Sequence, residues 1–199
     1  IINFSVPTFL ILFALFISYI LLYIGSKKWD SLKFSKKILY LLVTLLLLFV
    51  MFVFNNIMSF IEDAKEIPSL FLNSKYGFNF YFSSPTLLAR FFHFFFSSVA
   101  LSGLWVAIWG VMKLNKEPEQ GRWQYRSGAT YFSSSTIIVM FTGIWWLLVI
   151  PHESAKIIFG KSFVYTTIFA LLIVSSILSL VFALLGMNSI KPSMFLRIT

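Results

Sequence analysis

The chain has 199 residues, of which 59% are hydrophobic, 20% aromatic and only 12% charged, and its mean hydropathy is +0.88. Soluble domains carry about 25% charged residues, so this composition excludes an ordinary water-soluble protein and indicates an integral membrane protein. The formal charge of +9 is therefore assigned to cytoplasmic loops and not to a nucleic-acid-binding surface.

Five long apolar stretches predict membrane-spanning helices, and we expect them to form a single all-α bundle over residues 1–199. In chain order the predicted spans are residues 5–24, 38–60, 85–112, 129–150 and 162–186. Each span is long enough to cross about 30 Å of hydrocarbon at about 1.5 Å per residue. The apolar runs lack the strict polar alternation of barrel strands, which argues against an outer-membrane β-barrel.

Basic residues mark alternate connections between the predicted spans. The first connection, residues 25–37, holds five lysines and a single acid, Asp30. The third connection and the C-terminal tail repeat this bias with Lys113, Lys116, Arg122, Arg126, Lys191 and Arg197. By the positive-inside rule these segments are cytoplasmic, so we expect the N-terminus outside and the C-terminus inside. The outer connections then carry most of the acids: Glu62, Asp63, Glu66 and Glu153.

The second connection, residues 62–84, is too aromatic for a solvated linker. Its rings belong to Phe71, Tyr76, Phe78, Phe80, Tyr81 and Phe82. Aromatic side chains favour the headgroup depth of a bilayer, so we expect an interfacial segment along the outer membrane surface. The alternatives are that this segment covers a cofactor or that it docks a partner.

Few residues are suited to catalysis. The chain has two histidines, no cysteine, no acid inside a predicted span and no glycine-rich phosphate loop. The missing thiols exclude disulfides, thiolate-held metals and covalent c-type haem within this chain. Serines such as Ser133, Ser134 and Ser135 lack a carboxylate and a histidine at membrane depth, so we expect them to bond to helix backbones.

His93 is the residue most indicative of function. It lies in a run of phenylalanines in the third predicted span, about 10–12 Å below the outer end of that helix. An ionisable side chain at this depth is costly unless it is neutral and bonded, so a functional site is the default interpretation. A neutral imidazole is a good axial ligand for haem iron. The alternative is a hydrogen bond to a serine or a backbone carbonyl of a neighbouring helix.

One helical face continues from His93 with small residues. They are Ser97, Ala100, Gly103, Ala107 and Gly110. Such a face permits either close packing of a second helix or a flat cofactor against the backbone. The sequence leaves both alternatives open.

Other residues are candidates for a cofactor site around His93. Arg90, one helical turn earlier, either snorkels to the outer headgroups or neutralises a haem propionate or a quinone oxygen. Met140 and Met58 offer sulfur ligands, although packing is the ordinary role of methionine. His152, beside Glu153, is interpreted as a solvated or helix-capping residue. Membrane anchoring and packing are assigned to Trp105, Trp109, Trp145 and Trp146.

Four short stretches carry a resemblance to a known family. They are residues 54–60 (FNNIMSF), 82–86 (FSSPT), 90–94 (RFFHF) and 142–151 (TGIWWLLVIP), the last followed by His152 and Glu153. In this order and spacing, over roughly the middle half of the chain, they resemble bacterial integral membrane proteins related to cytochrome bd subunit I and associated with c-type cytochromes.

The resemblance implies a haem-b-bearing, quinone-interacting subunit of the bacterial inner membrane, with His93 as the haem ligand and Arg90 as its neighbour. In the members that the chain resembles, two further helices rich in His and Gly precede the region equivalent to residues 1–60. The resemblance therefore implies a fragment or a split subunit, with a second haem ligand from another chain. A start at Ile1, where Met would begin a complete chain, agrees with this expectation.

Our functional hypothesis is a subunit of a respiratory electron-transfer complex that passes electrons between the quinone pool and a c-type cytochrome on the outer face. The candidate site comprises His93, Arg90, Ser97 and Met140, and other membrane subunits are the expected partners in a hetero-oligomer. The chain itself would be non-catalytic or would take part in quinol oxidation. One rival is a cofactor-free structural anchor. A transporter is less favoured, because no buried charged path or pair of broken helices marks a substrate route.

Overall fold

The computed structural model describes residues 5–27, 35–62 and 80–187, and this part of the chain is mostly α-helical. The helices are α1 (Ser5–Lys27), α2 (Ser35–Glu62), α3 (Thr86–Lys113), α4 (Pro118–Val149), α5 (His152–Lys156) and α6 (Phe163–Met187), with a π-helical turn at Ile157–Lys161. Five of them, all except α5, are long and apolar enough to cross a membrane. The prediction of an all-helical protein with five such helices is thus confirmed for the described residues.

Two of the helices extend well beyond the predicted apolar spans. Helix α2 continues to Glu62, past the predicted end at residue 60, and α4 begins at Pro118, far before residue 129. Pro118 lies at the start of α4, where its missing N–H costs no helical hydrogen bond, and Glu119 in the first turn complements the helix dipole. Arg122 and Arg126 are therefore helical residues of α4 and not loop residues.

The connection after α4 is helical where the sequence predicts an outer loop. Helix α5 leads into the π-helical turn, in which Gly160 has a φ of 133°. This conformation is one that residues with a Cβ rarely adopt, and it ends the helical path before α6. Thr166 Oγ1 then donates to the carbonyl of Ile158 at 2.8 Å, which fastens the start of α6 to the turn.

Contacts divide the chain into two compact units, Ile1–Leu87 and Leu88–Thr199. In the first unit α1 packs on α2, and Ala14, Ser18 and Val43 are buried. The hydroxyl of Ser18 donates to the carbonyl of Ala14 at 2.8 Å, so this buried hydroxyl is satisfied within its own helix. The prediction that the whole chain is one domain stays a prediction.

In the second unit α3 and α4 form an antiparallel pair with their backbones in contact. A Cβ built on Gly103 would lie 2.6 Å from the backbone nitrogen of Phe132, and one on Gly110 would lie 2.4 Å from that of Tyr125. A Cβ built on Gly128 would lie 2.3 Å from the backbone nitrogen of Ala107. Only glycine permits such approach, so we call this contact the glycine seam.

Helix α6 packs against α4 in the same unit, with the last residue of α6 contacting the first half of α4. Met187 adjoins the buried cluster of Ala107, Tyr125 and Ala129, and its sulfur accepts a hydrogen bond from Thr130 at 3.6 Å. Most of the α6 surface remains exposed and apolar, as lipid contact requires. Several residues used in the sequence predictions lie outside the described residues: Lys28, Asp30, Lys33, Asp63, Glu66, Phe71, Tyr76, Phe78, Lys191 and Arg197.

Candidate functional site

His93 lies in the first half of α3 and faces α4. Helix α3 begins at Thr86, so His93 is about 10 Å along the axis from the first residue at 1.5 Å per residue. The residue is partly buried within the second unit. The predicted position of a histidine well inside an apolar helix is therefore reproduced.

The imidazole of His93 is hydrogen-bonded to the backbone of α4, which is the bond that the sequence analysis gave as the alternative to a functional site. Its Nδ1 lies 3.2 Å from the carbonyl oxygen of Val139. A carbonyl oxygen only accepts, so the bond requires a proton on Nδ1, and a neutral ring then has an unprotonated Nε2. Within the described part of the chain Nε2 forms no hydrogen bond, which leaves its lone pair available to a ligand.

Gly143 makes this approach to α4 feasible. It follows Val139 by one helical turn, and a Cβ built on it would lie 3.2 Å from Cε1 and 3.3 Å from Nδ1 of His93. A methyl group there would push on the imidazole. The absence of a side chain at position 143 thus creates the space in which the ring rests against the helix.

Two aromatic rings contact the partly buried imidazole. The ring centroid of Trp146 is 5.6 Å and that of Phe94 is 6.2 Å from the centroid of His93. Nearby, Phe92 stacks on Trp145 at 6.4 Å. The indole Nε1 of Trp146 is buried and forms no hydrogen bond within the described residues. The ring contacts of the imidazole are therefore apolar apart from one indole N–H.

The other predicted site residues lie on the same two helices as His93 and its partner. Ser97 donates its hydroxyl to the backbone carbonyl of His93 at 2.7 Å, a bond within α3 that does not involve the ring. Met140 follows Val139 on α4 and is partly buried. A role of either residue in binding a cofactor stays a prediction.

Arg90 is buried, with 2% of its surface exposed. A side chain that snorkels to the headgroups would extend along the protein surface, so this burial does not agree with that alternative. Neutralising an anionic or oxygen-bearing group inside the protein is compatible with the burial.

The small-residue face after His93 is occupied by α4. Gly103, Ala107 and Gly110 lie in the glycine seam, where backbone meets backbone. A flat cofactor has no space against that part of α3. Of the two alternatives left open by the sequence, the structure takes helix packing, and any cofactor would have to meet His93 through Nε2 beyond the seam.

The chemistry of this imidazole is compatible with a single metal–nitrogen bond. A bonded Nδ1 with an open Nε2 is the usual arrangement of a metal-ligating histidine, because the carbonyl that accepts from Nδ1 fixes the tautomer and the ring orientation. Among the described residues no group of three or more His, Cys, Asp or Glu side chains could hold a metal ion.

His152 lies on the exposed surface. It begins α5 and lines a shallow depression of about 450 Å³ with Ala155, Lys156, Phe159 and Lys161. The N-cap position of α5 is occupied by Pro151 and not by His152. Of the two predicted roles, solvated residue is the one that this position suits.

A buried polar cluster in the first unit is a feature that the sequence predictions missed. Asn56 Oδ1 accepts a hydrogen bond from the backbone N–H of Tyr81 at 3.0 Å, and Thr86 donates to Glu62 Oε2 at 2.5 Å. Its other buried polar members are Asn55, Ser59 and Ser84. The polar residues at positions 55, 56, 59 and 62 recur with helical spacing, and that periodicity was the available signal.

The described part of the aromatic connection packs on α2. Phe60 stacks on Tyr81 with ring centroids 5.8 Å apart, and Phe52 contacts both Phe80 and Phe82, at 6.0 and 5.9 Å. Residues 80–84 are thus held by protein contacts. The predicted interfacial role of residues 63–79 lies outside the described residues.

Comparison with protein families, with curated proteins and with solved structures finds no match for this chain.

Proposed function

We propose that this chain is a membrane subunit of a respiratory electron-transfer complex and that His93 ligates a b-type haem through Nε2. The observation that carries the proposal is the hydrogen bond from Nδ1 to Val139, made across Gly143. The same bond is the one that the alternative interpretation requires, a histidine satisfied by the backbone of a neighbouring helix. The proposal depends on the other ring nitrogen, Nε2, which has no acceptor or donor among the described residues. The bond to Val139 aims this unprotonated nitrogen away from α4.

In this proposal His93 binds the haem iron, and its neighbours orient the imidazole and contact its ring. Val139 and Gly143 orient the imidazole, and Trp146 and Phe94 provide apolar ring contacts beside it. Arg90, buried one turn before His93, is proposed as a residue that borders a propionate. A haem held there supplies one-electron exchange, at a potential set by its ligands and by the polarity of the pocket.

The proposal includes an orientation and partners. Lys113, Lys116, Arg122 and Arg126 at the junction of α3 and α4 support a cytoplasmic position for that end of the hairpin. His93 then lies nearer the outer leaflet of a bacterial inner membrane. A c-type cytochrome on the outer face and a quinone in the bilayer are the proposed exchange partners, and another membrane subunit supplies the second haem ligand in a hetero-oligomer.

Replacement of His93 tests the proposal. In protein purified with its associated subunits, we expect His93→Ala to abolish the b-type pyridine haemochrome spectrum. His152→Ala is the matched control, since it removes the other histidine from an exposed position, and it should retain the full haem content. Unchanged haem in His93→Ala, or no haem in the unmodified complex, would refute the proposed ligand.

A cofactor-free structural subunit is the second candidate. The bond to Val139 alone satisfies one polar atom of His93, and the glycine seam is a common device for helix association in membranes. In that case His93→Ala would leave partner subunits bound and lower only the unfolding temperature, whereas a haem ligand would change the visible absorption spectrum.

A further inference from the structure

Trp146 presents a hydrogen-bond donor that has no acceptor among the described residues. Its indole Nε1 is buried and has no hydrogen-bond partner in this part of the chain. Buried indole N–H groups normally find a partner, and a buried donor that lacks one calls for an explanation.

The rings that flank the indole do not serve as the acceptor. Phe94, at 6.1 Å between ring centroids, has no polar atom. His93, at 5.6 Å, uses Nδ1 as a donor to Val139, and no hydrogen bond joins its ring to the indole. The described neighbours therefore leave the N–H open to an acceptor from outside the chain.

Trp146 lies on the same face of α4 as the residues that hold the His93 imidazole. Val139, Gly143 and Trp146 follow one another at four and then three residues, a spacing that puts them on one face of α4. The first two of these positions hold the imidazole, and the third brings the indole ring within 5.6 Å of it, measured between ring centroids. The indole without a described acceptor is therefore in contact with the ring that carries the unprotonated nitrogen.

We propose that the indole N–H of Trp146 donates a hydrogen bond to an oxygen atom of a redox ligand bound beside the His93 imidazole. This inference rests on the proposed function and adds a binding residue to it. The oxygen has two chemical sources, the carboxylate of a propionate on the haem that His93 ligates or the carbonyl of a quinone bound next to that haem. Both are acceptors that an unpartnered N–H would bind.

Two aromatic substitutions test this bond. Trp146→Phe removes the N–H and keeps a ring, and Trp145→Phe is its matched control, since the adjacent Trp145 is 41% exposed and packs on Phe92. Each variant complex is assayed for the rate of haem loss to apomyoglobin and for the dissociation constant of decylubiquinone. A lost bond to a buried acceptor predicts a change of about tenfold in one of these quantities.

The assays distinguish the two oxygen sources. Faster haem loss in Trp146→Phe alone identifies a propionate, and weaker decylubiquinone binding in Trp146→Phe alone identifies a quinone carbonyl. If Trp146→Phe matches Trp145→Phe in both assays while haem is present, the inference is overturned and the proposed function stands. If the unmodified complex holds no haem and binds no decylubiquinone, both are overturned.

A measurement on the unmodified protein covers the case in which Trp146→Phe does not accumulate. The chain has six tryptophans, and ¹⁵N-labelled indoles report hydrogen bonding through the chemical shift of Nε1–H. We expect one indole signal to move downfield when the ligand-depleted complex is reloaded with haem or decylubiquinone. A spectrum that stays the same on reloading would overturn the inference.

Discussion

Gly143 determines where the imidazole of His93 lies, because it has no side chain to occupy that space. Gly143 leaves room for the His93 ring, whose Nδ1 reaches Val139 at 3.2 Å. Alanine is the better helix former by about 1 kcal/mol, so a glycine in the middle of α4 lowers helix stability. Its advantage lies in the contact with His93.

Gly143→Ala is expected to separate stability from haem binding. The new methyl group would lie 3.2 Å from Cε1 of His93 and displace the ring by a few tenths of an ångström. Perturbing the group that orients a ligand typically weakens metal binding by about 10-fold to 100-fold, so haem loss should accelerate while the unfolding temperature stays or rises. Ile144→Ala, which is 57% exposed, should change neither. Equal haem retention in both variants would contradict the positioning role of Gly143.

Asn56→Ala is expected to destabilise the first unit. The substitution removes the acceptor of the Tyr81 N–H at 3.0 Å and leaves that backbone group without it. A broken buried hydrogen bond costs about 1–2 kcal/mol, with membrane proteins near the lower end. Thermal unfolding in detergent measures the loss. The control is Thr44→Ala, an exposed hydroxyl on the same helix that bonds only to the carbonyl of Tyr40, and a similar loss in both would rule out this role of Asn56.

The sequence was sufficient to select His93 but not its partners. A histidine deep in an apolar span is costly, and that cost alone singled it out. Val139 and Gly143 carry no chemistry of their own, and their relevance depends on the register between α3 and α4. That register is set by the glycine seam, whose partners are far apart in the sequence.

At the scale of helices, α3 and α4 pack closely because glycines lie along their contact. Lipid tails are as apolar as leucine, so burying leucine between two membrane helices gains little. Close backbone contact gains dispersion energy instead, and glycines at positions 103, 110, 121 and 128 permit it. The pair is thus specified by small residues and not by a hydrophobic stripe.

Gly128→Ala is expected to force the seam apart. Its Cβ would lie 2.3 Å from the backbone nitrogen of Ala107 and 2.6 Å from the carbonyl oxygen of Gly103, and neither backbone atom can rotate away. Overpacking of this kind costs about 1–3 kcal/mol, which a denaturation curve in detergent would detect. Ser134→Ala, on the exposed side of the same helix, should have little effect. Equal stability of the two variants would show that the seam tolerates separation.

Helix number and approximate spans were predictable, whereas helix ends were less so. Hydropathy locates the part of a helix that must avoid water, and α4 continues beyond it because Gly121, Tyr125 and Gly128 are buried. The turn at Gly160 was also missed, since a single glycine in a polar connection does not indicate a positive φ.

At the scale of the whole molecule, charge is the only sequence signal for orientation. The basic residues Lys113 and Lys116 lie at one end of the α3–α4 pair, and Glu153 lies beyond the other end. Translocation of lysine and arginine is disfavoured, so the proposed orientation follows from where they cluster.

Single cysteines would report this orientation directly. The chain contains no native cysteine, so each introduced thiol is the sole site of labelling. In sealed right-side-out vesicles, we expect Glu153→Cys to react with a membrane-impermeant maleimide and Lys116→Cys to react only after permeabilisation. Both side chains are exposed in the structure, so a difference in labelling between them reports the side of the membrane and not burial within the protein. The opposite labelling pattern would invert the proposed orientation and place His93 nearer the cytoplasm.

The glycine seam also bears on how the protein is assembled during synthesis. Helices α3 and α4 are joined by a short connection, and their contact needs nothing from α6. The hairpin can therefore close as soon as α4 has left the ribosome and entered the bilayer, with its two helices already locked in register. His93 would meet Val139 at that moment, so the proposed ligand-binding histidine would be oriented before translation ends.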